Sequence, residues 1–263
     1  MYLGAAVAVL LFAQVPPSGV AWLRLVGAAV VLASWRRPPR AAWRGRRLLL
    51  TGAFGLVTAL MNVAFYEAVA RLPLGTAVAV EFVGPVAVAA LGPRSARDRV
   101  ALALVALGVV AIADVRLAGS PAGVAFALAA AALWAGYIVL GTRVSRTAGA
   151  PGDALDDLTV GFVVAAVVLS PLAALAAPAL GDPTLLLLGV GVGVASSVVP
   201  YALDQVVLRR LGRARFALLL ALLPLTATAI GLLVLGQLPT PIEAAGIAMV
   251  IVGVAATRPD PDR

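Results

Sequence analysis

Four ionisable residues stand where an apolar chain has little room for charge: Arg24, Glu67, Glu81 and Asp204 lie inside or against long runs of Ala, Val, Leu and Gly. A charge held in hydrocarbon costs several kcal/mol unless it is paired or hydrated, so each is a functional candidate. Arg24 and Glu81 can pair, or they can offer one positive and one negative handle to a zwitterion. A structural ion pair that touches no ligand is the competing explanation. Glu67 stands near the end of its run, where snorkelling to the interface serves it. Asp204 precedes Arg209 and Arg210; a local pair with them competes with a role at an inner gate. Among uncharged groups, Asn62 and Tyr201 could face a polar cavity. Trp134 and Tyr137 could stack on a ligand, although aromatics inside helices more often pack. Glu243, Asp182 and Asp114 fall at expected helix ends and read as solvated.

The elements that must carry these residues follow from composition. The chain has 263 residues, 62% hydrophobic and 12% charged. Soluble domains are about half apolar and a quarter charged. A membrane span needs about 20 apolar residues, so the length accommodates about ten helices and leaves no room for a soluble domain. Hydropathy and helix breakers place spans near 1–13, 18–35, 48–70, 74–92, 100–117, 121–141, 155–177, 184–207, 216–235 and 240–257. Arg24 and Glu81 then both lie about 10 Å deep in the same half of the bilayer. The first run, Tyr2 to Ala13, is too short to cross upright, and the expectation is that its helix begins upstream of Met1. No positive n-region or cleavage site marks a secretory signal.

All twenty basic residues are Arg, and His and Cys are both zero. The net charge of +8 would suggest nucleic acid in a soluble protein, but the arginines lie in short clusters between apolar runs. With the first loop outside, seventeen arginines fall in inner segments, against Arg71 and Arg116 outside and Arg24 within a span. By the positive-inside rule both termini are expected in the cytoplasm. Trp22 and Trp35 bracket the second span as an aromatic belt does. Five spans on each side of about residue 119 suggest a duplication. A slide of 139 residues pairs Arg71 with Arg210, Pro85 with Pro224, and Asn62 with Tyr201. Because five is odd, the halves 1–118 and 119–263 enter the membrane from opposite sides, as two inverted five-helix repeats, a plan that sets substrate sites at the repeat interface. The fold class is therefore an all-α integral membrane protein.

Catalytic sets are missing. The sequence has no P-loop and no Ser–His pair, and it offers neither thiolate nor imidazole metal ligands. An enzyme or an ATP-driven pump is not expected, and no cofactor or metal site is implied.

Gly19-Val20-Ala21-Trp22-Leu23-Arg24-Leu25, Asn62-Val63-Ala64-Phe65-Tyr66, the run from Arg71 to Pro85, and Pro200-Tyr201-Ala202-Leu203-Asp204 together resemble the EamA family of the drug/metabolite transporter superfamily, its threonine/homoserine exporter branch above all. The resemblance covers nearly the whole chain and is most specific from Arg71 to Pro85. It implies a secondary exporter of small amino acids or related metabolites in the bacterial inner membrane, with Arg24, Asn62, Glu81 and Tyr201 at characteristic positions. The chain departs from the family pattern where Leu223 precedes Pro224, where Gly236-Gln237 stands for Gly-Glu, and in its short first span. The expected partners are a small amino acid, the lipid bilayer and a coupling proton, with Arg24 on the substrate carboxylate and Glu81 on its ammonium group or on the proton. Efflux of drugs and an inactive structural membrane protein are the alternative expectations.

Overall fold

The structure, a computed structural model, describes residues 2–89, 96–117, 120–145, 153–200 and 222–256. Among the described residues the chain is helical throughout and holds no strand. In chain order the helices are α1 (Tyr2–Leu11), α2 (Pro17–Arg36), α3 (Gly45–Val69), α4 (Leu74–Glu81), α5 (Val83–Ala89), α6 (Ala96–Leu117), α7 (Pro121–Ser145), α8 (Asp153–Val168), α9 (Ala177–Leu180), α10 (Pro183–Gly193), α11 (Leu223–Leu235) and α12 (Pro241–Ala256). Short 3₁₀ turns occupy Arg40–Trp43 and Ser170–Ala174, and a π turn, Val194–Val198, extends α10. Three stretches, Pro17–Arg36, Gly45–Val69 and Pro121–Val144, are each long and apolar enough to cross a membrane unaided. Many outward side chains are large and apolar: Leu233 is 82% exposed and Leu187 72%. A soluble fold would shield so much outward apolar surface, whereas lipid solvates it.

Prolines and glycines set the helix ends. Pro17, Pro121, Pro183 and Pro241 open their helices, where a missing N–H costs nothing. Asp182 caps α10 by accepting from the Thr184 and Leu185 amides at 2.8 and 3.4 Å. At the end of α11, Gly236 turns left-handed with φ 64°, and its amide donates to the Leu232 carbonyl at 3.2 Å; this is the αL closure. Two expected spans are interrupted. The stretch 74–92 divides at Phe82 into α4 and α5, and the stretch 155–177 stops being α-helical at Val168 and continues as the 3₁₀ turn. In both places a proline is the cause: Pro85 and Pro171 have no N–H to offer the carbonyl four residues back, and each disfavours helical geometry in the residue before it.

The helices form two compact units. Among the described residues the first takes Leu3–Tyr66 and Gly136–Pro200; the second takes Glu67–Ala135 and 222–256. Each therefore draws on both halves of the sequence. Within the first, α2 packs on α8 and α10; within the second, α12 packs on α6 and α11 on α4. Small residues bring these axes close, as they do wherever helices must pack without a hydrophobic drive between them. A Cβ on Gly55 of α3 would collide with the carbonyl of Gly161 on α8, whereas one on Gly191 would meet nothing within 4 Å. Gly55→Ala is therefore expected to lower the Tm of the detergent-purified protein by roughly 3–10 °C, the scale of an overpacked core. Gly191→Ala should leave it unchanged or slightly raised, and equal Tm values for the two variants would refute this account of the crossing.

Candidate functional site

Arg24 is 5% exposed at the centre of the first unit. Its Nε donates to Ser197 Oγ at 3.1 Å, its Nη2 to the Ser196 carbonyl at 3.1 Å, and its Nη1 to the Tyr66 hydroxyl at 3.3 Å. The guanidinium carbon also lies 5.4 Å from the centre of the Tyr66 ring, close enough for a cation–π contact. Tyr66 is fully buried and meets Phe12 edge-on at 5.7 Å.

The local sequence explains why a carbonyl is free to take part. Pro200 has no N–H for Ser196, four residues earlier, so that carbonyl loses its helical donor. The helix responds by widening into the π turn, where the Val199 amide reaches back five residues to Val194. Turns of this kind recur at functional sites. Glycine allows the approach: a Cβ on Gly193 would strike the Arg24 backbone carbonyl. The arginine is thus delivered by α2 and received by a deliberately irregular stretch of α10.

Beside the guanidinium lies a narrow cleft with room for about one water molecule. Arg24, Asn62 and Ser197 supply its polar side; Trp22, Phe162 and Leu172 are among its apolar walls. The Asn62 amide nitrogen donates to the Thr58 carbonyl at 2.8 Å, which leaves the side-chain oxygen as the group available to a ligand. Among the described residues, Ser196 Oγ is buried without a hydrogen-bond partner.

Of the residues singled out from sequence, the structure brings together Arg24 and Asn62. Glu81 and Trp134 belong to the second unit. Glu81 is the last residue of α4 and 6% exposed, and Pro85 denies its backbone carbonyl the usual helical donor. Trp134 meets Phe82 edge-on, with ring centres 4.9 Å apart, and Tyr137 in the first unit stacks on Phe54 at 4.9 Å; both rings are engaged in packing. Glu67 pairs with Arg71 one turn later, and Arg71 also covers the ring of Phe126 at 5.1 Å. Tyr201 and Asp204 lie outside the described residues.

Three buried acids escape a reading by depth alone. Asp156 and Asp157 at the start of α8 are 9% and 0% exposed and are matched by Arg36 at 3.0 Å and Arg47 at 2.7 Å. Glu243, expected to be solvated, is 0% exposed. The correction has a local cause, legible in Thr240-Pro241-Ile242-Glu243 as a capping box. Glu243 Oε2 accepts from the Thr240 amide and hydroxyl, both at 3.0 Å, while Thr240 Oγ1 accepts from the Glu243 amide at 3.3 Å. Thr76 of α4 adds a donor to Oε1 at 2.9 Å, which draws the carboxylate inward. Nearby, Gln237 Oε1 accepts from the Leu74 amide at the start of α4 at 2.8 Å. A neutral amide oxygen there does the accepting that a carboxylate would do, which accounts for Gln at that position.

Removing Glu243 removes a cap and strands the Thr76 hydroxyl, together about 2 kcal/mol. Glu243→Ala should therefore lower the Tm in detergent by roughly 4–8 °C, and Glu243→Gln, which keeps an acceptor oxygen, should recover about half. A Tm unmoved by the alanine variant would mean that the capping box is not what holds α12.

The comparisons with known proteins agree with this architecture. The EamA-like transporter family matches residues 121–258. The threonine/homoserine exporters RhtA of Escherichia coli (strain K12) and of Salmonella typhimurium (strain LT2) are each 33% identical to the chain over 252 residues, covering 94% of this chain and 84% of theirs. A solved crystal structure, 18% identical, shares the fold with a TM-score of 0.52 over 97% of this chain and 92% of its own. With a family match over more than half its length and these relatives over nearly all of it, the chain belongs to the EamA-like transporter family and is a multi-pass helical membrane transporter.

Proposed function

We propose that the protein exports a small zwitterionic amino acid of the threonine or homoserine kind across the bacterial inner membrane by alternating access. The observation that carries this reading is the state of Arg24: buried, held among the described residues by neutral oxygens alone, and bordering a small cleft beside Asn62. A substrate carboxylate in that cleft makes charge-assisted bonds to the guanidinium that a hydroxyl and a carbonyl cannot match. Low local dielectric strengthens them. The side-chain oxygen of Asn62 is an acceptor for the substrate's ammonium or hydroxyl group. The relatives whose names specify threonine and homoserine support an amino acid of that class.

Glu81 takes the second role, as the handle for the ammonium group or as the carrier of a coupling proton. Its burial in α4 and the helix break that follows it support that role. The inner location of the arginine clusters supports cytoplasmic termini, and the odd number of spans in each of 1–118 and 119–263 supports the inverted repeat.

The test is efflux from cells preloaded with labelled threonine that express the wild type, Arg24→Gln, Glu81→Gln or no protein. The wild type should empty cells faster than the control, and Arg24→Gln should lose about tenfold or more of that rate, the worth of one charged hydrogen-bond contact. Glu81→Gln should abolish or alter the pH dependence. Equal efflux in all four, with each protein verified in the membrane, would remove threonine as the substrate. Unchanged rate and pH profile in Glu81→Gln alone would remove the proton role and keep the rest.

A further inference from the structure

We infer that the connection between α2 and α3 is a binding site for anionic phospholipid headgroups. Between Trp35 and Arg47 the sequence carries six arginines: Arg36, Arg37, Arg40, Arg44, Arg46 and Arg47. The structure divides them by task. Arg36, the last residue of α2, is paired with Asp156, and Arg47, at the start of α3, with Asp157. Consecutive acids on α8 thus clamp both ends of the connection. Its middle is shaped as well: the Arg40–Trp43 turn packs on α8, with Ala42 wholly buried beneath it. Arg37 takes a left-handed φ of 48° where the chain leaves α2.

The remaining four arginines, Arg37, Arg40, Arg44 and Arg46, are exposed on this clamped connection. Trp35, 59% exposed, and the half-buried Trp43 flank them, and such rings settle at the level of lipid headgroups. Insertion topology asks only that positive residues be in the segment. It has no use for two half-buried ion pairs that anchor the ends of the segment while leaving four guanidiniums outward. A rigid array of forked donors beside interfacial rings fits phosphodiester headgroups of the adjoining leaflet, since guanidinium matches phosphate geometry and basic clusters next to a span recognise anionic lipid. The partner is the lipid itself rather than a soluble anion, because Trp35 and Trp43 place the array at headgroup depth.

Native mass spectrometry of the purified full-length chain, with phosphatidylglycerol, phosphatidylcholine or inorganic phosphate added in turn, tests the assignment. The wild type should retain phosphatidylglycerol at least about tenfold better than phosphatidylcholine. The preference should weaken as salt rises from about 50 to 500 mM. Replacing Arg37, Arg40, Arg44 and Arg46 together by Gln should abolish the preference, while Arg143→Gln, an exposed arginine at the end of α7, should preserve it. If the fourfold variant cannot be purified, the headgroup comparison and salt titration on the wild type decide alone. Equal retention of the two lipids, a fourfold variant that behaves as wild type, or displacement of lipid by millimolar inorganic phosphate would each overturn the inference.

Discussion

Hydrocarbon offers a backbone no partner, so a carbonyl that loses its helical donor must be met by the protein. Pro200 creates that debt at Ser196, and the Arg24 guanidinium settles it at 3.1 Å. The consequences spread outward from this one bond. The π turn exists because the helix must step past the missing N–H, and it sets Ser197 where Arg24 Nε can reach its hydroxyl. Gly193 has no side chain because α2 presses its Arg24 backbone against that point. Tyr66 receives the third donor and offers its ring face to the same cation. Position, orientation and charge of the arginine all rest on a hydrogen bond that a proline withheld.

The other buried charges are treated differently, and the contrast is informative. An isolated ion in the interior costs several kcal/mol even after relaxation. Asp156 and Asp157 avoid that cost through opposite charges on Arg36 and Arg47. Glu243 avoids it through amide and hydroxyl donors from Thr240 and Thr76. Those acids are countered by charges or donors from their own neighbours and serve to fix helix ends. Among the described residues Arg24 is anchored by neutral oxygens alone, so they orient its positive charge without cancelling it. In the proposed function this is the group that meets the substrate: held before the ligand arrives, yet with an interaction still to be made.

Architecture and chemistry meet again at the helix crossings. Without a hydrophobic drive between helices in lipid, close backbone approach supplies much of the association, and glycine is the residue that permits it. The crossing of α2 with α10 through Gly27, Gly189 and Gly193 holds the first unit together and also forms the Arg24 site. Gly108 and Gly246 play the structural part in the second unit, where α6 meets α12. Stability and site geometry at Arg24 therefore cannot be varied independently.

Much of this is written locally and was legible without coordinates. Apolar runs of membrane length, prolines at helix starts and breaks, and arginine clusters between spans are each a matter of neighbouring residues, so the helical membrane class follows from the residues themselves, and Arg24 and Asn62 stand out as polar groups within apolar runs. The capping box at Thr240–Glu243 was equally local, and only its burial was hidden, because that depends on Thr76, 167 residues away in the chain. Tertiary structure alone decided that Arg24 meets Ser196 and Ser197 across 172 and 173 residues, and that Asp156 and Asp157 clamp the α2–α3 connection. It also assembled each compact unit from both halves of the sequence. The reason is physical: hydropathy and helix periodicity say how deep a residue lies and which neighbours share its turn, whereas its distant partner is chosen by which helices can approach, and at which glycine.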